Sequence, residues 1–477
     1  MVVPPIQTCC ELAYGQGLSI ALHAACNSGT RWVGTDFNPG HVAFASKLTA
    51  GVKLANLRLH DEPAASFCRR GDIEHFDLVS TIGTWSWLSP SDQEAIGKFL
   101  QTRLRSGGLF CLDHMTFPGM SGMSAVRRLM VAFAEDEKQD RIGDRYTGKE
   151  VANAVKRTLE FFDLQPGFMH HHWRLLTSVK KMLAESSDSL IHEYFNYNWR
   201  PRYFLDTAQF LERFGLSWAA PWSLGEISQD LHFTPRQQAY LSDLNDPIQR
   251  EHLKDFIVNR EVRSDMWVRG AVPLPSPETK DALRAKRVIL AKPKHDFGYK
   301  AEGVLGEAAL SRALYGRLLE ALAHHKPIAI AELEDTLQDR ANFHEIIDAL
   351  AILVEQQFLQ IVNPSDSEIE HSSPASHAVN RNILEIGRRS HMLGYLGSPV
   401  TGGGIRVSCP HQLFLLAREE GARHPDKYVS FAKDVLAKME IPDLSKDTKP
   451  DRLDSEAEAF EACHLRIYRA LGMTEAA

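Results

Sequence analysis

The stretch that most constrains this chain is a glycine turn at the end of its first apolar run. Ile6 to Leu12 is followed by Ala13-Tyr14-Gly15-Gln16-Gly17, after which Leu18-Ser19-Ile20-Ala21-Leu22 takes up a helical pattern. A strand that turns through glycines into a helix makes a nucleotide-binding loop, because a bulky ligand across the strand end needs backbone contact that a Cβ would block. A second apolar run, Arg31 to Thr35, ends at Asp36, nineteen residues after Gly17. That interval matches the roughly 20 residues at which a carboxylate on the next strand reaches ribose hydroxyls. A dinucleotide would want a third glycine at the helix start for its pyrophosphate. Here Leu18, Ser19 and Ile20 follow Gly17 instead. The acid at the strand end, Glu11, suits a ligand that carries an ammonium and a sulfonium.

Apolar, β-rich runs alternate with helical patterns from Ile6 to about Met115, the pattern of a doubly wound parallel sheet. Pro39 stands where a first-turn proline would, so a helix is expected from there towards Lys53. A third strand is expected over Asn56 to His60, before the turn Asp61-Glu62-Pro63. The fourth, Phe76 to Thr81, runs into Ile82-Gly83-Thr84-Trp85-Ser86-Trp87, at the strand end where doubly wound sheets bind ligands. A helix from Ser91 to Arg105, capped by Gly107-Gly108, leads to a fifth strand from Leu109 to His114. Pro118 to Arg200 is helical in pattern and reads as an insertion that lids the strand ends. Tyr203 to Phe214 and Leu216 to Ala220 restore helix and strand, and a last strand near Asp265 to Arg269 is expected to run antiparallel.

Pro273-Leu274-Pro275-Ser276-Pro277 is the strongest boundary signal. Five segments are therefore expected: a cofactor-binding core (1–117), a helical insertion (118–200), completion of the sheet (201–272), a linker (273–300) and a C-terminal domain (301–477). In the last, Ser311 to Ala323, Ile330 to Leu337, Phe343 to Phe358 and Leu359 to Val362 read as three helices and a strand, a winged-helix-like α+β order. Its third helix carries Glu345, Asp348 and Glu355 and no Lys or Arg, which argues against DNA reading. Asn363 to His377 is expected to be a loop, and Ser398 to Gly404 a glycine turn. The net charge of −7 argues against a dedicated nucleic-acid binder. No apolar stretch approaches the ~20 residues that span a bilayer. Seven scattered cysteines without a C-x-x-C pair point to reduced thiols in the cytoplasm.

The first turn resembles the E/D-x-G-x-G-x-G signature of class I S-adenosylmethionine-dependent methyltransferases, with Ala13 in the first glycine position. Gly15 to Ser19, Gly34 to Pro39, Thr84 to Ser89 and Thr116 to Met120 fall in the order seen in a bacterial group of these enzymes. Members of that group carry a methyltransferase regulatory domain, here about Ile191 to Arg269, with His192-Glu193-Tyr194 and Asn198-Trp199-Arg200-Pro201 inside it. Ser398 to Gly404 is similar to the group's C-terminal glycine turn, whereas Ile82 and His114-Met115 depart from its pattern on the acceptor side. The group includes rickettsial-type protein lysine methyltransferases that modify outer-membrane surface proteins. The resemblance implies a Rossmann-like, seven-stranded α/β class I methyltransferase fold with S-adenosyl-L-methionine as cofactor. Its cofactor contacts would fall to Glu11, Ala13, Tyr14, Gly15, Gly17, Asp36, Phe37, Asn38, Asp61, Glu62, Thr81 and Gly83. Asp61 would accept from the adenine amine, with a solvated acidic turn as the competing reading.

A sulfonium activates its own methyl, so the protein's task is to align the acceptor and exclude water. A lysine acceptor must first lose a proton and is held well by aromatic faces. Trp85, Trp87, Tyr194 and Tyr197 are the aromatic candidates, with core packing the alternative for each. His192 and Glu193 are the candidates for general base, with structural hydrogen bonding the alternative. His170-His171-His172 has no accompanying carboxylate or cysteine, so no metal site is expected. The expected activity is methyl transfer to lysine side chains of a protein. The rivals are transfer to a small-molecule or glycan oxygen, cofactor binding without catalysis, and a dehydrogenase. The expected partner is a methyl acceptor rather than nucleic acid or membrane, with a homodimer left open.

Overall fold

The apolar runs become strands because alternate side chains can be buried on both faces of one sheet. The computed structural model describes residues 5–137, 146–272, 274–389, 393–438 and 450–475. Its main sheet holds β1 (Thr8–Leu12), β2 (Arg31–Asp36), β3 (Leu57–Asp61), β4 (Phe76–Thr81), β5 (Leu104–Met115), β6 (Leu216–Pro221) and β7 (Val262–Arg269), in the order β3-β2-β1-β4-β5-β7-β6. β7 runs antiparallel to both of its neighbours, as expected for the last strand. The order reverses between β1 and β4, and that switch point opens a crevice at the strand ends.

One face of the sheet presents Cys10, Leu12, Val33, Val79 and Phe110 to helices Ala64–Cys68, Pro90–Arg103 and Phe204–Glu212. Register places Glu11 of β1 beside Gly34 of β2 and Ser80 of β4 on the opposite face. That face meets α1 (Leu18–Cys26). The helix Pro90–Arg103 passes directly into β5 at Leu104, so Gly107 and Gly108 lie inside the strand instead of capping the helix. Gly107 takes φ +79 there, next to a register shift against β4.

Helices Ser121–Glu137, Gly148–Asp163, Gly167–His172, Arg174–Met182 and Ser187–Tyr194 form the expected insertion around their own core, which includes Val126, Met130, Val155 and Met182. In the segment that follows, Arg263 of β7 is buried and reaches Asp265, Asp255 and Glu251, the last two on the helix Pro247–Val258. A guanidinium this deep is tolerable only because several carboxylates surround it.

Two stretches of the C-terminal half depart from the sequence reading. Within the expected linker 273–300, Ser276–Arg284 is a helix and Arg287–Leu290 is the central strand of a small sheet, between Ile328–Ala329 and Leu359–Val362. Pro273 lies outside the described residues. Arg287 to Leu290 is too short for periodicity to identify, and its pairing partners are distant in sequence. Helices Arg312–Ala321, Ile330–Leu337 and Phe343–Glu355 pack on this sheet.

The polar tract expected as a loop over Asn363 to His377 is instead the first half of a long helix, Asp366–Gly387. Ser365 caps it and Glu368 returns the bond to the Ser365 amide, a capping box. Its buried polar side chains are satisfied by tertiary partners, which composition does not reveal. Ser372 Oγ lies 3.0 Å from Ser28 Oγ at the end of α1. Asn380 Nδ2 donates to the carbonyls of Gly397 and Met473, and its Oδ1 accepts from the Gly397 amide. The helix and α1 share one core in which Ala21, Leu22 and Ala25 meet Val379, Ile383 and Phe414. Ser398 to Gly404 forms the turn of a hairpin between Tyr395–Ser398 and Gly403–Arg406. Asn27 Nδ2 of the α1 cap donates to the Gly402 carbonyl at 2.7 Å. Among the described residues, no helix is long and apolar enough to cross a membrane.

Candidate functional site

A cavity of about 870 Å³ opens at the carboxyl edge of β1, β2 and β4. Its floor is the turn after β1. Ala13, Gly15 and Gly17 all take positive φ, at 60°, 60° and 75°. For Ala13 that costs about 1–2 kcal/mol, since its Cβ crowds the following carbonyl. The turn is held by the Ala13 and Tyr14 amides, which donate to the Thr35 carbonyl at 2.8 and 3.3 Å. Gly17 caps α1, and a Cβ there would come within 2.5 Å of Ala45 Cβ. Glycine is thus required at 17 for packing as well as for conformation.

Asp36, 2% exposed, stands at the end of β2 and faces the same cavity. Its Oδ2 accepts from the Gly15 amide at 2.9 Å. Its Oδ1 accepts from the Asn38 amide at 2.9 Å and lies 3.0 Å from His41 Nδ1. A carboxylate offers about four lone-pair directions, so one remains for a ligand hydroxyl. Glu11 lies deeper, and burial pushes its carboxyl up to about 7 against the opposing bond from Ser19. A cation brought beside it would restore the charge. Phe37, 63% exposed, sits on the wall as a flat face free to cover a planar ring.

Several of the residues expected at the cofactor do not lie on the cavity wall. Asp61 is exposed, and Glu62 turns away to Arg70, 2.7 Å from its guanidinium. Pro63 to Ser66, at the start of the next helix, occupy the wall in their place. Thr81 is fully buried below the strand end. Asn38 caps the helix Pro39–Leu48 by accepting from the Gly40 amide. Ala13, Tyr14, Gly15 and Gly83 line the cavity, whereas Gly17 lies behind its wall.

The acceptor side is also rearranged. Trp85 is 1% exposed and packs edge-on against Phe110 and Phe210, in the core and off the cavity wall. Trp87, two residues on, is on the wall. Its ring stacks on His192 at 5.6 Å and 25°, and its Nε1 donates to the Glu193 carbonyl at 3.0 Å. His192 joins it on the wall, with Asn196 and Trp222 nearby. The Glu193 and Tyr194 side chains do not reach the wall; Tyr194 packs against the core of the insertion. Tyr197 is 98% exposed and touches neither core nor cavity. Arg127 fixes this segment by donating to the carbonyls of Tyr194 and Asn196, both at 2.7 Å. Among the described residues, no three His, Cys, Asp or Glu side chains are grouped to hold a metal.

Residues 186–269 match the family model described as a predicted methyltransferase regulatory domain. A solved structure, PKMT2 from Rickettsia typhi in complex with AdoHcy, superposes on this chain with a TM-score of 0.66 over 98% of it and 94% of PKMT2, at 16% identity. This is the class I methyltransferase fold. A second structure of R. typhi PKMT2 superposes equally well, at 14% identity. By sequence, the chain is 28% identical over 473 residues to the uncharacterized Synechocystis protein sll1526, covering 98% of this chain and 91% of its relative. An uncharacterized Rickettsia prowazekii protein, RP789, is 22% identical over 286 residues. On this fold the carboxyl ends of β1, β2 and β4 carry the cavity described above, and the segment that matches the regulatory-domain model supplies His192 and Asn196 to it.

Proposed function

We propose that this chain transfers a methyl group from S-adenosylmethionine to lysine side chains of a protein. The observation that carries the reading is one cavity in which two carboxylates, Glu11 and Asp36, flank a positive-φ turn and which an aromatic pair, Trp87 on His192, also lines. The residues fit the cofactor. Glu11 would pair with its ammonium, Asp36 would accept from a ribose hydroxyl, and Phe37 would cover the adenine. Bound there, the sulfonium supplies an activated methyl. Trp87 would hold the acceptor ammonium by its ring face, an attraction of about 0.5–2 kcal/mol. His192, the imidazole on that wall, would take the proton that the amine must lose before it attacks. The AdoHcy complex of the PKMT2 relative supports the cofactor, and the resemblance to rickettsial-type enzymes supports lysine.

The test is incubation with bacterial lysate and methyl-labelled S-adenosylmethionine, followed by mass spectrometry. Label in protein lysines is the expected result. Label only in low-molecular-weight material would transfer the activity to a small acceptor, and binding without turnover on any acceptor would make the chain non-catalytic. Stabilisation by NAD and not by S-adenosylmethionine in a thermal-shift assay would overturn the methyltransferase reading altogether.

A further inference from the structure

Away from the strand ends, helices Asp366–Gly387, Cys409–Glu419 and Leu465–Ala470 meet around a separate cavity of about 300 Å³. Four guanidiniums line it, from Arg381, Arg418, Arg423 and Arg469, together with the His377 imidazole, on a chain whose net charge is −7. Such a concentration of positive charge on an acidic protein calls for a counter-ion. Two of the four already have one. Arg381 Nε lies 3.3 Å from Glu419 and Arg418 lies 3.2 Å from Glu461.

The other two have no carboxylate within ion-pair distance among the described residues. Among the described residues, Arg423 donates to the backbone carbonyls of Arg418 and Ala422 alone. Arg469 Nε is buried with no hydrogen-bond partner. A buried guanidinium N–H without an acceptor costs more than the ~1–3 kcal/mol of a neutral group, a cost that a bound oxyanion would relieve. Glu475 shares the wall but makes no ion pair with either arginine.

We infer that this cavity binds a phosphate-class oxyanion, either inorganic phosphate or the phosphomonoester end of a larger ligand. The guanidiniums line the cavity from three different helices and from the loop that carries Arg423, an arrangement suited to three tetrahedrally disposed oxygens. A carboxylate offers two coplanar oxygens and is satisfied by a single arginine fork. His377 sets the rim, with its Nε2 2.9 Å from the Gly472 carbonyl.

The test is calorimetry on the full chain at fixed ionic strength, with inorganic phosphate, phosphoserine and malonate as probes. One saturable site for phosphate is expected, weakened about tenfold or more in R469Q and in R423Q, the loss of one charge-assisted bond. Phosphoserine tighter than phosphate identifies a monoester ligand, and equal affinities identify the free ion. Malonate binding as tightly as phosphate would overturn the inference, as would the absence of any saturable heat. Arg423 is exposed, so R423Q keeps the fold even if R469Q does not; unchanged phosphate affinity in folded R423Q also overturns it.

Discussion

At the residue scale, the proposed function divides the work of holding a cofactor between Glu11 and Asp36, and each can be tested alone. Burial raises the Glu11 carboxyl to about 7 from an ordinary 4.5. A raised carboxyl favours the folded state at low pH, and that contribution is lost as pH rises through 7. An ammonium beside it reverses the shift, so cofactor binding between pH 5 and 7 releases a proton. Affinity for S-adenosylmethionine therefore rises with pH up to about 7 and then levels off. Calorimetry in buffers of different ionisation enthalpy would show the proton, and E11Q flattens the profile. At the ribose end, D36N keeps the shape but sets an NH2 donor where Asp36 now accepts from backbone amides. It should weaken cofactor binding by about tenfold or more, because bonds to a charged acceptor are worth about 1.5–3 kcal/mol. Affinity unchanged in D36N would mean that Asp36 only braces the Gly15 turn. On the acceptor wall, W87A should raise KM for a peptidyl-lysine substrate several-fold, with W87F intermediate, whereas W85A should instead lower stability by about 3–5 kcal/mol.

Elements show why some of this was legible and some was not. The turn from Glu11 to Gly17 and the carboxylate at Asp36 are set by local chain geometry, so strand, glycine spacing and interval sufficed. Trp85 and Trp87 are different. They sit in one short 3-10 turn, Trp85–Trp87, whose tight winding sends residues two apart to different sides. Which side is the cavity depends on Ser86, whose carbonyl accepts from the Arg200 amide and whose hydroxyl accepts from the Met115 amide. Those partners are remote in sequence. The helix Asp366–Gly387 is hidden in the sequence for a related reason: Ser376 and Asn380 are buried in it because distant backbone groups satisfy them. That account predicts a cost. N380A would leave the Met473 carbonyl and the Gly397 amide without their partner, and the Gly397 carbonyl with Ser376 alone, and urea unfolding should show a loss of about 2–4 kcal/mol. A loss below about 1 kcal/mol would show that solvent replaces Asn380 easily.

On the scale of the whole molecule, the C-terminal half is built onto the cofactor turn. α1 lines the cavity with Ser19 of its first turn and ends at Cys26, beyond which Asn27 and Ser28 are bonded to Gly402 and Ser372. Gly397 approaches so closely that a Cβ there would lie 2.9 Å from Cys26 Sγ. Between those ends Ala21, Leu22 and Ala25 are buried in a core that belongs mostly to residues beyond 360. A ligand that holds the first turn of α1 must therefore also favour the packed state of the helix Asp366–Gly387, since binding stabilises every element coupled to the bound form. Hydrogen exchange with and without S-adenosylmethionine would read this directly. Amides of Val379 to Leu384 should exchange more slowly in the bound protein, although they lie outside the cavity. Amides of Ile346 to Leu353, in the separate core around the Arg287–Leu290 strand, should change little. Equal protection of both helices would mean that the cofactor stabilises the chain globally, and protection of neither would mean that α1 transmits nothing from its first turn to its last.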